Sequence, residues 1–476
     1  MAADAATSGT SLVSVGNSAL FQQANSEYLS RTVGTGSQTQ KAYTSLWKYN
    51  CSSAETDVNW QWGTQHEREN LHITSTGALS VYCVKSSATV CNLITTALFR
   101  DIGWYHFEVL FDTTQAVAAD RNILRVNGKR ITDFTTETNF DLNDTFASMG
   151  VSGKTCFINT YDGTSYTGDC YIAEFIHLDA DPAGVVTGEF DSTGLYWTPK
   201  SSAEIKALTF GNEGFYLDNV TNPQTDASGE GNNFTNNNTV TLSTHTPTNT
   251  LVTLNPLSLK PTHAPLSIGN TKITGDASST QCGGTLSANT GKYFYSATHN
   301  GTLTGTGFHA IYFVDESYDW QTTSSAGTGS YGINTASGSF IRKSVNGTTT
   351  QITTGVPTSD AFVMAIDFDA GKLWCGTSSS GTITWLPTSN GGSVGDPAAG
   401  TYPTVSFTAN TAMYPSVGVN KSPYTLACDF GDGGFTITPP TGFANALNTT
   451  NIAANTTRTA SDTTKYFDTI LYEGNG

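Results

Sequence analysis

Three pairs of carboxylates lie close enough in the sequence to suggest acid–base work on a sugar: Asp315 with Glu316, Asp367 with Asp369, and Asp429 with Asp432. Breaking a glycosidic bond takes two carboxyls flanking it, one to give a proton and one to attack or to activate water. Asp315 and Glu316 are neighbours at a strand end and point to opposite faces. Asp367 and Asp369 share a face just ahead of a turn, where carboxylates cap backbone N–H groups. Carboxylate identity without a cleft makes no catalyst, so no catalytic residue is assigned and a non-enzymatic protein is expected. Eight histidines show no His-x-His or His-x-x-x-His spacing, which leaves no transition-metal ligand set. Gly391-Gly392-Ser393-Val394-Gly395 spells a nucleophile elbow and Gly327, Gly329 and Gly332 a dinucleotide spacing, but neither opens a helix. No cofactor is implied. One oxygen-ligand pattern stands out. Asp226, Ser228 and Glu230, followed by Gly231, match the front half of a calcium loop, although its twelfth position is Asn237 rather than a bidentate Glu. An ordinary Asn/Gly turn is the favoured reading, so no metal is expected. The remaining chemistry is stacking. Tyr318 and Trp320, followed by a glycine-rich turn and Tyr331, read as a loop of rings on which a sugar could lie, or as a plug for the end of a core.

Short strands must position these residues. Charged residues make up 13% of the 476-residue chain while aromatics reach 11% and Gly numbers 47. Together with abundant Thr, Ser and Asn this is the composition of an all-β protein. The aromatics also separate it from disordered chains. Trp104–Phe111 is a strong β run. Ile123–Ile131 is a hairpin turning at Asn127-Gly128, and Asn346-Gly347 marks a second such turn. Cys170–Leu178 alternates Ile172, Glu174 and Ile176 against Tyr171, Ala173, Phe175 and His177. Phe362–Asp369, an Ala-Gly turn and Lys372–Cys375 form a further hairpin. The single helix expected runs from Ser201 to Leu208, with capping-box spacing between Ser201 and Glu204 and a stop at Gly211.

Length and texture give the organisation: a polar leader over 1–20, a β-sandwich over 21–218, an Asn-, Thr- and Gly-rich linker over 219–258, a second sandwich over 259–440, and a C-terminal segment over 441–476. That segment ends in Tyr466–Tyr472, a short strand that needs a partner to pair with. The net charge of −17 argues against nucleic acid and against electrostatic adsorption to an anionic membrane. No apolar run is long enough to span a bilayer, and the N-terminus lacks the pattern of a signal peptide. Eight cysteines without Cys-x-x-Cys spacing read as buried thiols. Cys83 with Cys91, and Cys156 with Cys170, could bridge neighbouring strands in an oxidising compartment.

Family resemblance enters at these same residues. Leu124-Arg125-Val126-Asn127-Gly128-Lys129-Arg130-Ile131 resembles the hairpin of concanavalin A-like, laminin-G-type jelly rolls. Ala365–Leu373, Tyr414–Val419, Phe430–Phe435 and Pro439–Phe443 resemble a SPRY domain, although Gly291–Ser296 replaces that module's usual Trp-Tyr-x-Glu strand. The joint Gly214–Asp218 with Asp226–Thr235, the lead-in Pro247–Leu257 and the ending Thr464–Gly476 resemble segments of tailed-bacteriophage structural proteins. What the resemblance implies is a virion protein assembled in the host cytoplasm, contacting other virion proteins as a homo-oligomer, a trimer in fibres. A tail fibre or appendage that binds a host surface glycan or protein leads. A capsid decoration or head-fibre protein and a polysaccharide depolymerase are the alternatives. In SPRY-like sandwiches ligands meet loops such as Tyr318–Tyr331.

Overall fold

Three long strands, Lys41–Asn50, Gly103–Asp112 and Cys170–Leu178, are buried along almost their whole length. A strand buried on both faces must be covered twice, by a facing sheet and by something behind it. That requirement organises the first half of the protein. The computed structural model describes residues 15–455, apart from 52–56, 100–101, 192–193, 195, 260–265, 276–278, 301–308, 321–325, 337–339, 357–358 and 421–423. The chain is all-β, built as two antiparallel sandwiches.

In the first sandwich, one sheet runs Lys129–Arg130, Asn122–Val126, Gly103–Asp112, Lys41–Asn50, Cys170–Leu178, Ser18–Phe21 and Thr241–Ser243, with Phe215–Leu217 also on Cys170–Leu178. The facing sheet runs Phe134–Thr138, Ala88–Leu98, Ala78–Lys85, Glu67–Ile73, Asp57–Thr64, Thr155–Ile158, Tyr28–Thr32 and Thr235–Asn237. Between them Trp60, Trp62, Phe107, Phe111, Phe175 and Phe215 form an aromatic core. Asn127 and Gly128 have φ of 49° and 72°, the left-handed pair that the two-residue hairpin needs. Cys170–Leu178 does not keep a single alternation: a bulge lies between Ala173 and Ile176, and Glu174 has φ of 49°. The bulge resets the register, so Ile172 and Phe175 face the core while Ile176 and Leu178 face outward.

The outward face of this first sheet is covered. Ile205 and Phe210 pack on Tyr43, Leu110, Ile176 and Leu178. Ile205 comes from the helix Ser202–Lys206, where both halves of the capping box close, Ser201 Oγ accepting from Glu204 N–H and the Glu204 carboxylate from Ser201 N–H. Among the described residues no helix packs on the outward face of the facing sheet, and Ala88–Leu98 alternates buried with partly exposed residues along its middle. The open side of the sandwich therefore lies there.

The second sandwich pairs a sheet ordered Lys272–Thr274, Thr425–Asp429, Lys292–His299, Ala361–Asp367, Lys372–Ser379 and Thr382–Trp385 with one ordered Ser279–Gly283, Tyr414–Asn420, His309–Val314, Ser330–Ala336, Phe340–Val345 and Thr348–Gln351. Tyr293, Tyr295, Phe313, Phe362, Phe368 and Phe430 fill it. Leu447 belongs to the same core, and the helix Thr449–Asn455 follows it. The strand expected at Tyr466–Tyr472 lies outside the described residues.

The segment 219–258, expected as a linker, is built into the body of the protein. Thr235–Asn237 pairs with Tyr28–Ser30, and Thr241–Ser243 pairs with Ser18–Leu20. His245 then enters a cage of Tyr49, Trp104 and Tyr171, with ring centroids 4.3, 5.2 and 4.6 Å away. The same cage grips the second sandwich: Tyr49 and Thr253 hydroxyls meet at 3.1 Å, Tyr171 donates to the Gly269 carbonyl at 3.1 Å, and Asn270 donates to the Cys51 carbonyl at 2.7 Å. Asp432 accepts from Thr244 N–H and Oγ at 2.6 and 2.8 Å. The two sandwiches are docked by a buried aromatic joint. All eight cysteines are buried and free, although Cys83 and Cys91 stand opposite each other in register.

Candidate functional site

The open sheet of the first sandwich carries a polar ladder across four strands. Register places Gln61 beside Asn70, Asn70 beside Tyr82, and Tyr82 beside Asn92. The next row sets Val58 beside His72, His72 beside Ser80, and Ser80 beside Ile94. Alternation forces this: Leu71, Val81 and Leu93 point into the core, so their neighbours in sequence must point out. Above the ladder stands the loop that follows Thr155–Ile158, and together they border an open cavity of about 500 Å³.

That loop is fixed from within. Asn159 donates to the carbonyls of Glu27 and Gly168 at 3.0 and 3.1 Å, and Tyr161 N–H donates to the Ser165 carbonyl at 3.0 Å. Gln61 ties it to the sheet by donating to the Tyr161 carbonyl. Asp162 accepts from Thr164 and Ser165 N–H at 2.9 and 2.8 Å. Burial opposes charge on Asp162, but these donors and the two hydroxyls outweigh it and hold its carboxyl below the usual range. The loop presents Tyr161 and Tyr166 with ring centroids 5.9 Å apart. Tyr166 is 55% exposed and has φ of 59°, a conformation that costs a bulky residue energy and is found where structure serves a site.

Arg68 forms one wall. Its guanidinium carbon lies 5.0 Å from the centroid of the Tyr82 ring and 4.8 Å from that of Tyr161, an arrangement favourable on both sides. Nη1 donates to the Gln65 carbonyl at 2.8 Å, while Nε is buried without a partner. Burial, and then the nearby Arg68 charge, push the His72 imidazole down to about 4, so it is neutral at pH 7. His72 Nδ1 lies 3.3 Å from Asn70 Oδ1. Asn92 Oδ1 is also buried and unpaired. Planar rings, amides and a guanidinium around one cavity can stack on a sugar ring and bond its hydroxyls.

The aromatic loop expected to bind divides between two faces of the second sandwich. Tyr318 is 4% exposed and its hydroxyl donates to Gln281. Trp320 packs edge-on against it at 4.8 Å, and both cover the outward face formed by Ala310, Tyr312 and Val314. Tyr331 stands opposite Phe313 in register and packs on the inner core beside Phe407. The three rings therefore make no common platform: two plug one face, and alternation sends the third to the other.

The carboxylate of the calcium candidate is used by its own turn. Asp226 takes Tyr216 N–H and Ser228 N–H on one oxygen, each at 2.9 Å, and the Ser228 hydroxyl and Asn232 N–H on the other, each at 2.8 Å. Its lone pairs are spent on the turn, Ser228 Oγ caps Glu230 N–H at 3.1 Å, and Glu230 is exposed. Among the described residues no group of three His, Cys, Asp or Glu side chains is placed to hold a metal ion. The paired carboxylates cap turns as well. Asp367 accepts from Ala370 N–H at 3.0 Å, Asp369 from Gly291 N–H at 3.2 Å, Asp429 from Gly431 N–H at 2.9 Å, and Asp315 from Ser317 N–H at 2.9 Å. Among the described residues no helix is long and apolar enough to cross a membrane.

No family model matches the chain, and no curated protein matches it in sequence. Among solved structures, it is similar to the TRIM65 PSpry domain at 12% identity, covering 38% of this chain and 92% of that one, with a TM-score of 0.28. It is similar to the heptameric SAP-like pentraxin of Limulus polyphemus at 11% identity, covering 48% and 96%, with a TM-score of 0.31. Domains LG4-5 of the mouse laminin α1 chain are similar at 8% identity over 94% of this chain and 89% of theirs, with a TM-score of 0.28. These likenesses say nothing of what the chain binds.

Proposed function

We propose that this chain is a non-enzymatic attachment protein of a bacteriophage particle, a tail-fibre or other appendage subunit whose first sandwich holds a surface glycan. The observation that carries the binding part is the cavity of about 500 Å³ beneath Tyr161 and Tyr166, floored by Asn70, Tyr82 and Asn92. It sits on the outward face of the facing sheet, under a loop fixed by its own hydrogen bonds. Rigid rings above and amides below suit a flat, hydroxyl-bearing ligand. The virion part rests on the sequence resemblance of the joint, the lead-in and the C-terminal segment, and on the order of the two sandwiches. Display in a trimer would turn weak single-site contacts into firm attachment.

The test is binding of the labelled full chain to host cells, compared with a Tyr161→Ala/Tyr166→Ala variant of unchanged melting temperature. Saturable binding that the variant loses supports the reading. Binding that the variant keeps removes the glycan site, and absence of binding by either protein favours an architectural part of the particle.

A further inference from the structure

Resting on that glycan-binding reading, we infer that the ligand is an acidic sugar, and that its carboxylate pairs with Arg68. Arg68 lies against two tyrosine rings, and among the described residues no carboxylate pairs with its guanidinium. Its neighbours in the fold are treated differently. Arg31 meets Glu213 at 2.8 Å, Lys85 meets Asp144 at 2.6 Å, and Lys48, wholly buried, meets Asp57. Half-buried Arg121, Arg125 and Lys343 also lack an ion pair among the described residues and donate to backbone carbonyls instead; Arg68 differs in lining a cavity, between two rings.

Geometry leaves the position open. Nη1 is used by the Gln65 carbonyl, Nε is shielded and unpaired, and Nη2 makes no hydrogen bond among the described residues. Asp162, the acidic residue that lines the same cavity, is bound by Thr164 and Ser165 of its own loop. A carboxylate suits the free Nη2 better than a neutral hydroxyl does, because the hydrogen bond is then assisted by both charges. The amide of Asn92, whose Oδ1 has no partner, then remains for a hydroxyl of the same sugar.

The experiment titrates the full chain, by ligand-observed NMR, with matched pairs: methyl glucuronide against methyl glucoside, oligogalacturonate against its carboxyl-reduced neutral form, and glucose 6-phosphate for a phosphate source. The expected result is that at least one carboxylate member binds about tenfold or more tighter than its neutral partner, the size of one charge-assisted hydrogen bond. Arg68→Gln should erase that preference and Arg68→Lys should keep part of it, both with unchanged circular dichroism. Equal affinity for acidic and neutral members, both lost in Tyr161→Ala, overturns the acidic assignment and leaves the glycan reading standing. Phosphate binding as tight as carboxylate binding overturns the carboxylate assignment. Preference for acid that survives in Arg68→Gln overturns the role of Arg68. No binding by any member ends both readings.

Discussion

Replacing Tyr171 should loosen the whole protein, because this one ring belongs to both sandwiches. It is 2% exposed, stands edge-on to Tyr49 at 6.0 Å, packs on His245 at 4.6 Å and donates to the Gly269 carbonyl at 3.1 Å. Tyr171→Phe keeps the ring and leaves the Gly269 carbonyl without its donor, a cost of about 1–2 kcal/mol. Tyr171→Ala also removes the ring and opens a cavity, a cost of about 3–5 kcal/mol by analogy with other buried aromatics. For a unit of sandwich size each kcal/mol moves the midpoint by about 2–4 °C, so the alanine variant should melt roughly 6–20 °C lower. Differential scanning calorimetry reads both quantities. The wild-type chain should unfold in one cooperative transition, and Tyr171→Ala should resolve it into two as the joint fails. A Tyr171→Ala protein that melts within about 2 °C of wild type would show that the joint is not the packed contact described. So would an unfolding trace already split in the wild type.

Burial pushes the carboxyl of Glu174 up to about 7 from its ordinary 4.5, against the hydrogen bond from Tyr216 Oη at 2.7 Å. A raised acid favours the folded state when protonated, so this contribution is present below about pH 4.5 and is lost as pH rises through 7, by up to about 3 kcal/mol. Glu174→Gln mimics the protonated form: its stability should match wild type near pH 4.5 and exceed it at pH 8, and a pH-independent difference in urea midpoints would refute the assignment. Asp226→Ala should cost about 3 kcal/mol, because Tyr216, Ser228 and Asn232 lose an acceptor together. Calcium or chelator should leave the wild-type melting curve unchanged; a rise with calcium would restore the cation site. Trp320→Ala should lower the melting temperature by several degrees, since Trp320 covers Tyr318 and the sheet beneath. It should leave cell and glycan binding intact; loss of binding at unchanged stability would return the site to the second sandwich.

The all-β fold was legible because local chemistry and global structure agree. Asn127-Gly128 adopts the turn that only such a pair takes easily, and Ser201 with Glu204 closes the capping box that their spacing announces. The strands of 219–258 are not legible in the sequence because Thr235–Asn237 and Thr241–Ser243 join sheet edges through backbone hydrogen bonds. Edge pairing asks little of the side chains, and Asn or Thr there looks like a linker. The bulge at Glu174 was invisible for a related reason: a single residue in the left-handed region breaks alternation without a glycine to mark it. The cavity is hidden in the sequence because Asn70, Tyr82 and Asn92 sit on three strands and become neighbours only through register. A signal did exist. Arg68-Glu69-Asn70-Leu71-His72, Ser80-Val81-Tyr82 and Asn92-Leu93-Ile94 place hydrogen-bonding groups at alternate positions on consecutive strands. In contrast, Tyr318 and Trp320 drew attention by residue type alone, and burial spends both rings on packing.

The most direct test of the account is a crystal structure of the full chain with the tightest ligand found on a glycan array. The account predicts sugar density between the rings of Tyr161 and Tyr166 and the amides of Asn70 and Asn92, with an acidic group at Arg68. Density at the Tyr318–Trp320 loop, or an array without a single saturable ligand, would contradict it.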